Sequence, residues 1–297
     1  MSDNTNLYLV QNMMIFMEEC FINEPSSHDY FTINPYYVQN KNTLKALITD
    51  IQKLYPGLQY ISYEKCSGSS WNSIYMSSYM QKEYIHTVTD MAHSRIILVE
   101  DGLFDYISPS EPYLFYNDKD LYLFRPEIAS PETIRANVKQ LNFSSGITHK
   151  FSELYKESTM NLSKLDSHTT VLFTTPFSED FNAYENLTDT ILNYLKYNLS
   201  IDQIVLKKHP RDHFTYTSDI VQITECPQNV PGQFLDEMFD GKKIFLFPST
   251  VSFMCGELSN IIFLNVLPDN REYSSAFDSV MNSRIFSGQK SIQYISI

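Results

Sequence analysis

Four short apolar runs in the first hundred residues, NLYLV (6–10), YFTI (30–33), LQYISY (58–63) and RIILV (95–99), are spaced by segments of helix length. This alternation constrains the fold strongly, because neighbouring parallel strands need a crossover, and a helix is the usual one. MMIFMEEC reads as the helix after the first run. In NTLKALITDIQKLYPG, residues Leu44, Leu47, Ile48, Ile51 and Leu54 share a helical face, with Asn42 or Thr43 as cap and Pro56-Gly57 as terminator. A polar stretch over about 70–92 reads as a further helix. The pattern predicts a mainly parallel, doubly wound α/β sheet.

Between 103 and 165 the rhythm breaks. PYLFYNDKDLYLFRP suggests a hairpin turning on Asn117-Asp118-Lys119-Asp120, and 131–142 suggests a helix. The alternation then restarts. TVLFTTP (170–176) reads as a strand and ENLTDTILNYLKYNL as an amphipathic helix through Leu187, Ile191, Leu195 and Leu199. QIVLKKHP and DIVQITE follow as strands, PGQFLDEMF as a short helix, KIFLFPST as a strand and VSFMCGEL as a helix. IIFLNVL is a further strand, and a helix near 271–284 closes the chain. Two Rossmann-like domains are expected, 1–155 and 156–297, joined near 150–168.

The charge narrows the function. A formal net charge of −13, with only 22 Lys and Arg, argues against nucleic acid as a partner, since phosphate neutralisation needs a basic face. No basic run of five or more could grip anionic lipid. Cys20, Cys66, Cys226 and Cys255 form no CxxC pair, which suits a reducing compartment and thiols used as small apolar groups. LYLVQNMMIFM is too short to span a bilayer and runs into Glu18 and Glu19. A cytoplasmic protein is expected.

In open α/β sheets, ligands bind beyond the carboxyl ends of the strands. Three such ends carry polar chemistry. RIILV runs into Glu100-Asp101-Gly102, where extended neighbours point to opposite sides and only one carboxylate can face a given ligand. By itself this is also what a solvated turn looks like. IVLKKHPRD ends on Lys207, Lys208, His209, Pro210 and Arg211. Proline pushes the residue before it toward extended geometry, so His209 projects from the strand end amid cations that suit an anion. KIFLFPST ends on Ser249 and Thr250, which open a helix; they could be an ordinary cap or a seat for phosphate. Together the three describe a base facing an anion-binding acid, the chemistry that displaces a phosphate leaving group from a sugar.

These motifs, in this order, resemble those of the bacterial sialyltransferases, which carry a D/E-D/E-G motif, a later His-Pro and often a Ser/Thr pair. FTTPFSED (173–180) also resembles their strand-end loop near the nucleotide, which brings in Thr174 and Thr175. The nearest likeness is to the lipooligosaccharide and capsule enzymes rather than the marine type, whose acidic motif is usually two aspartates. The resemblance implies a GT-B-like fold with a cleft between two Rossmann-like domains. It also implies CMP-sialic acid as donor, a galactose-terminated oligosaccharide as acceptor, inversion at the anomeric carbon, and neither cofactor nor metal. The amino-terminal domain would hold the acceptor and the base; the carboxyl-terminal domain would hold the donor, its last helix packing back on the first domain. Glu100 is the first choice as base, with Asp101 the alternative. His209 would act as acid on the CMP phosphate, with Ser249 and Thr250 holding it and Lys207, Lys208 and Arg211 as weaker ligands. Peripheral association with the inner face of the cytoplasmic membrane and a homodimer are compatible with this family.

Three rivals remain. Asp118-Lys119-Asp120 has the form of a metal-holding DxD, although Asn and Asp are expected in a hairpin turn for backbone reasons. The donor could carry another acidic sugar, such as Kdo or legionaminic acid. Last, the same scaffold could bind a nucleotide or glycan without catalysis.

Overall fold

The alternation builds two sheets, both wholly parallel, one in each of two units, Met1–Leu154 and Tyr155–Ile297. The computed structural model describes residues 5–35, 38, 40–78, 88–100, 105–106, 119–129, 136–162, 169–175, 186–209, 212, 214–228, 230–232, 235, 241–249, 260–286 and 292–297. Asp101, Gly102, Asp118, Pro210, Arg211, Thr250 and nearly all of the expected helices at 231–239 and 251–258 lie outside them.

In the first unit β1 (Leu7–Val10) leads through α1 (Met13–Ile22) to β2 (Tyr30–Ile33), and α2 (Lys41–Leu54) leads to β3 (Gln59–Tyr60). The one-turn α3 (Tyr63–Cys66) then precedes β4 (Ser70–Ser77) and β5 (Ala92–Val99), with β6 (Asp120–Leu123) and β7 (Asn137–Gln140) further on. The order across the sheet is β3-β2-β1-β4-β5-β6-β7. Asn12 caps α1, its side chain accepting from the N–H groups of Met14 and Ile15 at 2.9 and 3.1 Å. On α2, Leu47, Ile51 and Leu54 are buried, and each such side chain stabilises the fold by roughly 1.5–3 kcal/mol. The cap of α2 is Asn40 rather than Asn42 or Thr43, because the Asn40 side chain accepts from the Asn42 N–H at 2.8 Å.

The first unit ends in α4 (Ser145–Tyr155), of which only Tyr155 falls in the second; the second unit then runs β8 (Thr170–Phe173), α5 (Leu187–Tyr197), β9 (Gln203–Lys207) and β10 (Gln222–Cys226). β11 (Lys243–Phe245), β12 (Ile261–Asn265), α6 (Arg271–Met281) and β13 (Ile292–Ser296) complete it. Its order, β10-β9-β8-β11-β12-β13, repeats the doubly wound 3-2-1-4-5-6 arrangement that begins the first sheet. Strand order therefore reverses twice, between β1 and β4 and between β8 and β11. A repeat invisible in the residues is plain in the topology.

Several expectations need correction. Within the stretch over 70–92 read as helix, SWNSIYMS (70–77) is instead β4, paired with β1 on one side and β5 on the other, while 88–90 are helical and 79–87 lie outside the described residues. Its serines and asparagine weaken the strand signal, but Trp71, Ile74, Tyr75 and Met76 are buried, and the Trp71 indole donates to the Cys66 carbonyl at 3.2 Å. Asp120–Leu123 is not an antiparallel hairpin arm in the described structure but a parallel strand between β5 and β7. Asn137–Gln140, read as helix, is β7 at the sheet edge. The chain does not close on α6; β13 follows and pairs with β12. Cys20, Cys66 and Cys226 are buried free thiols. No described helix is long and apolar enough to cross a membrane.

Candidate functional site

Two of the three expected strand ends lie in the second unit, after β9 and β11, and β8 with its Thr174-Thr175 end stands between them in the sheet. Thr174 follows β8, Lys208 and His209 follow β9, and Ser249 lies four residues beyond β11. Thr174 and Ser249 thus flank the point where strand order reverses, the place where open α/β sheets take ligands. Thr174, Thr175, Lys208, His209 and Ser249 are all half-buried.

The His-Pro turn is tied down through its backbone. The His209 N–H donates to Thr174 Oγ1 at 3.0 Å, and the Thr174 N–H donates to the Lys207 carbonyl at 3.1 Å. On the far side of the turn the Asp212 N–H donates to the His209 carbonyl at 2.9 Å. Asp212 is itself buried, its carboxylate accepting from the Phe214 N–H at 3.0 Å and the Tyr216 hydroxyl at 3.2 Å. Burial, reinforced by the Asp212 charge, holds the Tyr216 phenol well above its ordinary pKa, so it remains a donor. Backbone bonds fix where His209 stands without involving its ring.

The neighbouring lysines serve the fold. Lys207 is buried, and its amine donates to the carbonyls of Lys208 and Gln228 at 2.9 and 3.0 Å. The Lys208 amine donates to the Phe214 carbonyl at 2.6 Å. Burial lowers the Lys207 pKa to about 8, and the neutral amine keeps two N–H groups for its two carbonyls. The folded-state pKa lies below the unfolded one, so the native protein sheds this proton first as pH rises. Stability should therefore climb between about pH 8 and 10.5. Urea unfolding of the wild type and Lys207→Met should show the wild type gaining about 2 kcal/mol on the variant between pH 7 and 10. Parallel pH profiles would show that Lys207 carries no such penalty.

In the first unit Glu100 continues the β5–β6 ladder one residue past the strand, its N–H donating to the Tyr122 carbonyl at 3.1 Å. Its side chain is only 1% exposed. Oε2 accepts from the Phe124 N–H at 2.9 Å and from the Tyr106 hydroxyl, which in turn accepts from the Arg125 N–H at 3.1 Å. Burial and then the Glu100 charge raise the Tyr106 phenol far above its usual range, keeping it a hydrogen-bond donor. Five residues on, buried Asp105 accepts from Ser78 Oγ, at the end of β4, at 2.8 Å. Residues 101–104 are thus bounded on both sides by buried, hydrogen-bonded carboxylates. Glu100 is not offered to solvent in this geometry.

Asp105, Tyr106, Asp212 and Tyr216 were not among the residues expected from the sequence. Their signal was a polar or aromatic side chain within a few residues of each motif. Asp120 is no vacant metal ligand: its carboxylate holds Arg95, Lys139 at 2.9 Å and Asn137 at 2.6 Å. Among the described residues no group of three or more His, Cys, Asp or Glu could hold a metal ion.

No protein-family model matches the chain, and no curated protein matches it either. Among solved structures it is similar to UDP-GlcNAc 2-epimerase from Methanocaldococcus jannaschii, at 10% identity over 95% of this chain and 93% of that one, with a TM-score of 0.48. It is also similar to E. coli heptosyltransferase WaaC with ADP, at 10% identity over 99% of this chain and 93% of that one, with a TM-score of 0.36. At such identities and TM-scores, neither likeness bears on what the chain does.

Proposed function

We propose that the chain is an inverting, metal-independent sialyltransferase of GT-B type. It would move sialic acid from CMP-sialic acid to a terminal galactoside of a bacterial surface glycan. The observation that carries this reading is the convergence of His209, Thr174 and Ser249 on the adjacent ends of β9, β8 and β11, at the reversal of strand order. With a fixed backbone, the His209 imidazole can protonate the departing CMP phosphate, since its ordinary pKa lies near 6.5. Ser249 and Thr250 supply hydroxyls to that phosphate, each bond to a charged group contributing about 1.5–3 kcal/mol. Pro210, Arg211 and Thr175 are further residues of the donor site.

Asp101 is the base in this account. Oε2 of the buried Glu100 carboxylate is taken by the Phe124 N–H and the Tyr106 hydroxyl, which leaves the other member of the acidic pair for the chemistry. Asp101 takes the proton of the acceptor hydroxyl as that oxygen attacks the anomeric carbon from the face opposite CMP. The bond to the phosphate oxygen breaks through an oxocarbenium-like transition state, and the configuration inverts. Glu100 is then a positioning residue.

The test is incubation with CMP-sialic acid and lactose in EDTA. Sialyllactose should form at an undiminished rate. Loss of activity in EDTA with rescue by manganese would replace this reading with a metal-dependent transferase.

A further inference from the structure

Two buried side chains just beyond the His-Pro turn, Asp212 and Tyr216, close a ring of hydrogen bonds around the backbone of His209. The Tyr216 hydroxyl lies 3.2 Å from Asp212 Oδ2. A carboxylate only accepts, and burial holds the phenol well above its ordinary pKa, so the proton in this bond belongs to Tyr216. The phenol oxygen keeps its lone pairs, and the Thr174 hydroxyl acts on it as a donor. With its proton turned that way, Thr174 Oγ1 accepts from the His209 N–H at 3.0 Å. The Asp212 N–H returns to the His209 carbonyl at 2.9 Å. Donation therefore runs in one direction, from His209 through Thr174 and Tyr216 to Asp212 and back, and bonds aligned in this way reinforce one another. Two more bonds brace the same segment. The Phe214 N–H donates to Asp212 Oδ1 at 3.0 Å, and the Lys208 amine donates to the Phe214 carbonyl at 2.6 Å.

We propose that Tyr216, acting with Asp212, is a positioning residue for His209: the pair holds the N–H and the carbonyl of the residue that carries the imidazole. This rests on the reading of His209 as the acid. A misplacement of about 1 Å at a reacting group can cost about 10²-fold in rate, so a ring that fixes this backbone acts on kcat rather than on donor affinity. The same ring gives Thr174 a use other than phosphate, because its single hydroxyl proton is turned to Tyr216 and not to an anion.

The experiment compares the full chain with Tyr216→Phe, which removes the hydroxyl and keeps the ring. kcat should fall by about 10–100-fold while KM for CMP-sialic acid changes by less than about twofold. Thr174→Val should behave in the same way, and Thr174→Ser, which keeps a hydroxyl, should recover most of the rate. In a His209→Ala background Tyr216→Phe should cost nothing further, since a residue acting through His209 has nothing left to position. A residue that only supports the fold costs the same in both backgrounds. Equal losses in the two backgrounds, or an unchanged kcat, would overturn the proposal and leave the transferase reading in place. A second arm does not depend on turnover. Exchange of the His209 and Asp212 amide protons should be faster by about tenfold in Tyr216→Phe and Thr174→Val than in the wild type. A wild type that releases CMP from no donor sinks the transferase reading instead. Exchange then decides alone, the faster rate supporting Tyr216 as the hold on this turn and an unchanged rate overturning it.

Discussion

His209→Ala is expected to lower kcat for transfer from CMP-sialic acid by roughly 10²–10⁴-fold, the range that a positioned general acid supplies. The fold should survive. The bonds that shape this turn run through the His209 backbone, from its N–H to Thr174 Oγ1 and from the Asp212 N–H to its carbonyl. Alanine keeps both. The loss should therefore appear with an unchanged unfolding transition, and CMP binding should weaken far less than catalysis falls. His209→Asn could retain a hydrogen bond to phosphate without providing an acid, so it should recover donor affinity but not rate. If the alanine variant turns over normally, the leaving group departs without this imidazole. A circular dichroism spectrum and a urea curve taken beside the rate separate that outcome from a misfolded variant.

The acidic pair should divide into one chemical and one structural member. Asp101→Asn should cost roughly 10²–10⁴ in kcat with stability unchanged. Glu100→Ala should instead destabilise the first unit by roughly 2–5 kcal/mol, because it strands the buried Phe124 N–H and the Tyr106 hydroxyl without their acceptor. Glu100→Gln keeps an acceptor oxygen and should fall between wild type and alanine in stability. The opposite pattern, a stable but inactive Glu100→Ala beside an active Asp101→Asn, would return the base to Glu100. Tyr106→Phe helps to separate these cases. It removes one donor to Glu100, and a positioning role predicts a lower kcat and a displaced pH–rate profile with little change in KM for the donor.

Much of this architecture was legible in the sequence wherever apolar periodicity was undiluted. Leu7–Val10, Ile96–Val99 and Ile204–Leu206 are buried aliphatic runs, and such runs in alternation with amphipathic helices allow few arrangements other than a doubly wound sheet. Beta-strand β4 was illegible because Ser70, Asn72, Ser73 and Ser77 interrupt its apolar residues; pairing with β1 and β5 makes it a strand despite weak propensity. The short edge strand β7 lacked a signal for a related reason, since Val138 is its one apolar residue. At the site, the motif residues were visible as polar groups after apolar runs. The anchoring of Glu100 was not, because it depends on a backbone N–H twenty-four residues away and on the hydroxyl of Tyr106. The structural use of Lys207 and Lys208 was hidden similarly: a cation at a strand end looks the same in sequence whether it meets a phosphate or a carbonyl.

The measurement that bears most directly on the central claim is CMP release from a panel of nucleotide sugars, with and without lactose. CMP-sialic acid, CMP-Kdo, CMP-legionaminic acid and the common UDP-sugars would be compared at equal concentration. The account predicts release from CMP-sialic acid that depends on lactose and disappears in Asp101→Asn and His209→Ala. A chain that binds CMP but releases it from no donor with any galactoside would contradict the account and leave a nucleotide-binding protein in its place.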